Sequence, residues 1–361
     1  MTSYRYPVNG HAGAVFAAVG VVNGRLNPYI YDDNAIDNVA QGMANGLNLA
    51  NYDPNVDLRR LRKAQIERMP VAPDVVIFGG SRWQEARSEI IPGGHRVYDA
   101  YVSNDQVEDM LAISNILYNV HKLPKTILFS LRFVSLQAIP DRTTFDWKGW
   151  QSDYVEMAHR LGIDPASYLD RAPVQQVSGR FFFPDVFNKW QQVSAAKATP
   201  TLTTATQSQH LDILASDGSL HWSADSRAKF TRAFVDKAVD TEILTNGNTQ
   251  PGIDQAAVAM MGKLIDWLRA KGVKVMLVQS PYRPDYWQRI QSYPFVKTLY
   301  SLANVARQMQ AQHGAIAYTS YDPAPYPHCG LDNFVDQIHP TWQCLQDVFH
   351  ALPDLVTGVK S

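Results

Sequence analysis

Cysteine is nearly absent: Cys329 and Cys344 are the only two in 361 residues. They are either free thiols, as in most cytosolic proteins, or one bridge, as in most exported ones. No long run of Lys or Arg occurs and the formal net charge is −1, so neither nucleic acid nor an anionic membrane is a favoured partner. The longest apolar stretch near the start, residues 12–22, is about half of what a membrane-spanning helix needs. It has no positive flank and no clear cleavage site. It reads either as an ordinary N-terminal helix or as what remains beside a former export signal or anchor. The Walker pattern and GxGxxG are both missing, which removes the usual nucleotide-phosphate loops, and no HExxH or CxxC points to zinc.

What is present can fold. Hydrophobic residues make up 45% and charged residues 19%, enough for a sizeable core and unlike a disordered chain. The 17 Tyr and 8 Trp include rings that would pack in the core or at its rim. Exposed ones would suit a sugar face, so a carbohydrate partner fits the composition.

Residues 1–70 read as a lead-in, with an amphipathic basic helix over 58–68 ended by Pro70. Strands are expected at 74–78, 96–102, 126–130, 273–278 and 315–319. Helices are expected at 83–91, 106–121, 253–270, 295–313 and 342–352. Strands alternating with helices predict an α/β fold, a mainly parallel sheet covered on both faces. The alternation stops between about 140 and 255, where Trp147, Trp150, Phe181-Phe182-Phe183, a polar tract at 199–209 and an Asp217-Gly218 turn suggest an inserted helical or cap region. The core domain is therefore placed at 71–355.

Two motifs carry chemistry. Val75-Val76-Ile77-Phe78-Gly79-Gly80-Ser81-Arg82 is a buried strand running into two glycines and a serine. Small residues let the backbone turn sharply there, and Ser81 would stand at the carboxyl end of the sheet, where open α/β folds bind ligands. It is not a GxSxG elbow, because Trp83 occupies the second glycine position. Ser81 also suits a plain helix cap. Asp336-Gln337-Ile338-His339 places a carboxylate three residues before an imidazole. A serine needs a base within hydrogen-bond reach, and the base needs an orienting acid. Ser81, His339 and Asp336 supply those parts. The plainer alternative makes Asp336 a turn cap and His339 a surface residue. A metal set of His328, Cys329, Asp336 and His339 is a further one.

Together these motifs resemble the SGNH, or GDSL-like, hydrolase superfamily, which places its serine after the first core strand and its DxxH before the last helix. Gly79-Gly80-Ser81-Arg82 is similar to the Gly-Ser-Ser-Arg variant of the bacterial exported or membrane-anchored branch linked to polysaccharide O-acetylation. Val97 to Met110 and Val275 to Tyr286 resemble further segments of that branch. The resemblance covers about residues 70–140 and 255–350.

It implies a three-layer α/β/α sandwich of the SGNH/flavodoxin-like kind and a cofactor-free serine esterase or O-acetyltransferase. Its partners would be an acylated polysaccharide or oligosaccharide and the membrane-bound polysaccharide synthesis or acetylation machinery. It also implies a periplasmic or otherwise exported location, and with it a Cys329–Cys344 bridge around the DxxH loop. Two family blocks depart from pattern. Asn104 stands where a glycine N–H usually faces the oxyanion. Leu131-Arg132-Phe133 replaces the segment that usually supplies an asparagine. Gly80, Asn104, Arg132 and Arg82 are therefore the candidates for oxyanion or substrate contacts. Arg132 is open between donating to the oxyanion, binding an anionic substrate and pairing with a surface acid.

Overall fold

The computed structural model describes residues 30–136, 149–165 and 199–356. The apolar stretch at 12–22, Trp147 and the Phe181–Phe183 run lie outside the described residues. The lead-in forms α1 (Asp33–Ala44), β1 (Asn48–Ala50) and α2 (Leu58–Arg68). Asp57 caps α2 by accepting the Arg60 N–H (3.0 Å), the usual role of Asp before a helix. Next come β2 (Val75–Phe78), β3 (Val97–Asp99), α3 (Val107–Asn119), β4 (Thr126–Ser130) and α4 (Phe133–Leu136). The inserted region contributes α5 (Gln151–Arg160), β5 (Thr201–Thr203), β6 (Ile213–Leu214), β7 (Leu220–His221), α6 (Ala224–Lys229) and α7 (Arg232–Glu242), the last running into a π turn over Ile243–Gly247. Alternation then resumes with α8 (Gln255–Ala270), β8 (Lys274–Val278), α9 (Pro284–Ile290), α10 (Phe295–His313), β9 (Ile316–Tyr318), α11 (Trp342–His350) and α12 (Pro353–Val356).

Five strands form a parallel sheet in the order β3-β2-β4-β8-β9. The chain leaves β2 toward β3 and returns on the other side as β4. The winding therefore reverses between β2 and β4, and such a reversal leaves a crevice at the carboxyl ends of those two strands. Alternate residues of each strand bury opposite faces. Val76, Phe78, Ile127, Phe129, Val275 and Leu277 join one core with Leu61, Leu111, Met261 and Leu302 from α2, α3, α8 and α10. Val75, Ile77, Leu128, Met276 and Val278 join a second core with Trp83 and with Leu345, Val348 and Phe349 of α11. Each such side chain contributes about 1.5–3 kcal/mol when fully buried.

One expectation needs correction. No helix spans 83–91: the segment is two short 3₁₀ turns, Ser81–Trp83 and Ser88–Ile90. Its backbone groups are spent elsewhere. The Gln84 carbonyl accepts the Leu220 N–H (2.5 Å), and the Ser88 N–H goes to the Asp217 carboxylate (2.9 Å). The inserted region also pairs with the lead-in. β1 is an inner strand of a second, antiparallel sheet ordered β5-β1-β6-β7. Its buried backbone finds partners on both sides only because β5 and β6 flank it. The Asp217-Gly218 turn joins β6 to β7, and α5 packs Tyr154 and Met157 into the first core.

Candidate active site

Ser81 follows the carboxyl end of β2, immediately beside the winding reversal. Gly79 and Gly80 make the approach feasible. A Cβ on Gly79 would strike the Cβ of Ser130 at the end of β4, and one on Gly80 would strike the Arg132 guanidinium and the Asp105 carboxyl. Ser81 opens its 3₁₀ turn without capping it. Its hydroxyl meets the imidazole of His339 instead, with Oγ and Nε2 2.7 Å apart. The sequence separation is 258 residues, so the tertiary fold brings the two motifs together.

The DxxH loop is self-supporting. The Val335 N–H donates to the His339 carbonyl (2.9 Å) and the Thr341 N–H to the Asn333 carbonyl (3.0 Å). Asp336 both caps the turn and takes the imidazole. Its Oδ1 accepts the backbone N–H groups of Ile338 and His339 at 2.9 and 3.0 Å. Its Oδ2 lies 2.6 Å from His339 Nδ1. Burial alone would raise the Asp336 carboxyl. The adjacent His339 charge and these hydrogen bonds outweigh it and hold the group below the usual carboxylate range. An ionised Asp336 accepts from Nδ1–H, which leaves the Nε2 lone pair facing the Ser81 hydroxyl. Ser81 and His339 are both only partly buried, so the pair is open to solvent.

Cys329 and Cys344 form a disulfide around this loop. The neighbouring His328 hydrogen-bonds Asp347 through Nδ1 (2.8 Å). With Cys329 committed to sulfur, the grouping of His328, Cys329, Asp336 and His339 has no thiolate to offer a metal. No helix among the described residues is long and apolar enough to cross a membrane.

Compared with protein-family models, curated proteins and solved structures, the chain gives no match.

The remaining candidates divide. Arg82 is buried and faces inward: Nε donates to the Ile338 carbonyl (3.1 Å), and Nη2 to the carbonyls of Ser280 and Pro281. Its guanidinium also lies 4.3 Å from the Tyr282 ring centroid. Burial lowers its pKa, and the nearby Arg132 adds to that. Arg82 thus ties the serine segment to the loop holding His339, a positioning role rather than the substrate contact expected from its place in the motif. Asn104 is exposed, with a left-handed φ of 51°, a conformation Asn tolerates better than most residues. The preceding carbonyl, Ser103 O, is held by Arg59 (3.1 Å), which forks onto Asp109 at 2.8 Å through both Nε and Nη2.

Arg132 is 8% exposed and packs on Gly80. Its ion-pair partner is Asp105, buried beneath the site and 3.5 Å away, so the surface-acid alternative is excluded. Burial raises the Asp105 carboxyl, against the opposing pull of Arg132 and of a hydrogen bond from Ser135. Asp105 was not legible as a site-supporting residue, because nothing in its local sequence marks its burial. Ser130, Gln279 and Ser280, at the ends of β4 and β8, are buried, and their side-chain polar atoms have no hydrogen-bond partner among the described residues. The carboxyl edge of the sheet is therefore polar. A cavity of about 250 Å³ lies elsewhere, lined by residues including Met43, Gln65, Met69 and Tyr98, and shares no residue with the triad.

Proposed function

We propose that this protein is a serine-dependent carbohydrate esterase or O-acyltransferase of the SGNH type, on a three-layer α/β/α core. It would remove or transfer acetyl groups on a bacterial exopolysaccharide. The observation that carries the reading is the unbroken relay from Ser81 Oγ to His339 Nε2 (2.7 Å) and from His339 Nδ1 to Asp336 (2.6 Å). In this mechanism Ser81 Oγ attacks the ester carbonyl while His339 Nε2 takes its proton. Asp336, held ionised, stabilises the imidazolium. The sugar oxygen leaves with the proton from His339, and an acyl-serine remains. Water, or a second sugar hydroxyl, then gives its proton to His339 and accepts the acyl group, and as the acyl–Ser81 bond breaks the serine oxygen takes that proton back from His339.

The carbohydrate part of the proposal rests on the family resemblance. Tyr282 and Tyr321 stack on each other beneath Arg82 (centroids 4.8 Å apart) and are buried, so they are core rings and not sugar platforms. The disulfide is consistent with an exported protein, and an exported location completes the proposal.

The test is labelling with a neutral fluorophosphonate, mapped by mass spectrometry, alongside turnover of p-nitrophenyl acetate. Label on Ser81, and loss of both signals in Ser81→Ala, is the expected result. Turnover by Ser81→Ala at the parent rate refutes it. Polymer binding with no labelling would instead favour a polysaccharide-binding protein on a decayed hydrolase scaffold, the reading that the departures at Asn104 and Arg132 motivate.

A further inference from the structure

Two guanidiniums flank the candidate nucleophile, and they are employed differently. Arg82 directs its donors at three backbone carbonyls. Arg132 is also buried, yet its terminal nitrogens donate no hydrogen bond to any described residue. Its single ionic partner among them is Asp105, reached through Nε at 3.5 Å. The other oxygen of that carboxyl accepts the Ser135 hydroxyl (2.8 Å). An arginine held by its Nε keeps its terminal N–H groups for something else. Those of Arg132 are not among the buried side-chain atoms that lack a partner, so these N–H groups are open to solvent and to a bound ligand.

Their position says what they are for. The overlap that a Cβ on Gly80 would suffer with Nη1 and Cζ puts the terminal end of the guanidinium against the residue preceding Ser81. Arg132 sits two residues past the end of β4, the strand that neighbours β2 at the winding reversal. The other unpartnered polar side-chain atoms at this edge, on Ser130, Gln279 and Ser280, are fully buried. Asn104 is turned to solvent, and no asparagine occupies the segment after β4.

Resting on the acyl-serine reading above, the geometry points to Arg132 as the catalytic residue that receives the oxyanion. As the Ser81 Oγ–carbon bond forms, the carbonyl π pair moves onto oxygen, and the terminal N–H groups of Arg132 donate to it. The Ser81 proton is then on His339. On collapse the pair returns to carbon, the carbon–leaving-oxygen bond breaks, and the leaving oxygen takes the proton from His339. Asp105, ion-paired with the Nε edge, is the positioning residue for the terminal nitrogens.

The experiment compares the full chain with Arg132→Lys, Arg132→Gln and the double variant Arg132→Gln/Asp105→Asn, which leaves no unpaired buried carboxylate. Substrates are p-nitrophenyl acetate and a p-nitrophenyl ester bearing a carboxylate. Thermal melts check folding. Expected for the two glutamine variants is a fall in kcat on the neutral ester of about 10²–10³-fold, the usual effect of removing one oxyanion donor. KM should stay close to the parent value and fluorophosphonate labelling of Ser81 should slow in parallel. Arg132→Lys should recover part of the rate. Turnover of the neutral ester at the parent rate by the folded double variant overturns the proposal. So does a loss confined to KM for the anionic ester, which would make Arg132 a reader of substrate charge. A parent chain that neither labels at Ser81 nor turns over ester removes the acyl-serine reading itself, a result distinct from both.

Discussion

Replacing Cys329 and Cys344 together by alanine should destabilise the fold while leaving the triad nearly intact. The bridge closes a loop with a sequence separation of 15. On the chain-entropy relation that removes about 10 cal/mol/K from the unfolded chain, or about 3 kcal/mol at 25 °C. With an unfolding entropy of about 2.1 cal/mol/K per residue, a cooperative melt of the chain should move down by about 4 °C. Alanine is the right replacement because both cysteines are buried, packed with Phe334, and serine would bury hydroxyls there. The loop holds its shape by other means. Asp336 takes two backbone N–H groups, Arg82 takes the Ile338 carbonyl, and the Arg283 N–H takes the Gln337 carbonyl (3.1 Å). None of these needs the bridge, so Ser81 labelling should stay within about threefold of the parent. Urea unfolding and fluorophosphonate kinetics on the same double variant make the check. Were the bridge holding the loop closed locally, the same 3 kcal/mol would appear as loop opening, about a 10²-fold drop in labelling at 1.4 kcal/mol per decade. A drop of that size with an unmoved urea midpoint refutes the reasoning.

Arg82→Lys keeps the charge but loses the fork that reaches three carbonyls. Unmet buried acceptors cost about 1–3 kcal/mol each, so the melting temperature should fall and Ser81 labelling should slow by more than about tenfold. Labelling at the parent rate would count against the positioning role. Gly80→Ala should leave the Ser81–His339 bond in place but push Arg132 and Asp105 aside; ester turnover should fall by about 10²-fold, as for loss of an oxyanion donor. Glu156 accepts from Asn115, Arg160 and Asn119, which lower its pKa to about 2. Its folded pKa lies below the unfolded one, so its stabilisation is present above about pH 4.5 and is lost as pH falls toward 2. Glu156→Gln should therefore be less stable than the parent at pH 7, by no more than about 1 kcal/mol for so exposed a group. The gap should close in urea melts near pH 2.

The sheet was legible because most of its strands are short apolar runs buried on both faces. The strand at 126–130 and the helices at 58–68 and 295–313 match the sequence expectation residue for residue. The candidate triad was legible because its parts are chemically distinctive and stand at fixed places relative to strands. What stayed hidden depends on partners distant in sequence. Val97–Asp99 and Leu49 show nothing local to say which strands will flank them. The helical spacing after Trp83 was overridden because the Gln84 carbonyl and the Ser88 N–H find partners in the β6–β7 hairpin, more than a hundred residues away. Arg132 and Arg82 look alike in sequence, and only their surroundings separate a spent guanidinium from one with free donors.

That hairpin changes what the inserted region does. Through it the serine segment is held from outside the sheet, by Leu220 and Asp217. Glu85, four residues past Ser81, is fully buried, and burial raises its pKa against the pull of Arg227 and Arg87. Its Oε2 accepts from Arg227 of α6 (2.5 Å) and from the Trp342 N–H at the start of α11 (3.3 Å). One carboxylate thus joins the serine segment, the insertion and the helix that begins three residues after His339. Arg82 makes the second link, from beside Ser81 to the carbonyl preceding His339. Two motifs 258 residues apart are in this way clamped on both sides of their 2.7 Å contact. A proton relay needs that constraint, since a displacement of about 1 Å can cost 10²-fold in rate. The described part of the insertion is therefore part of the frame that holds the Ser81 and His339 segments together.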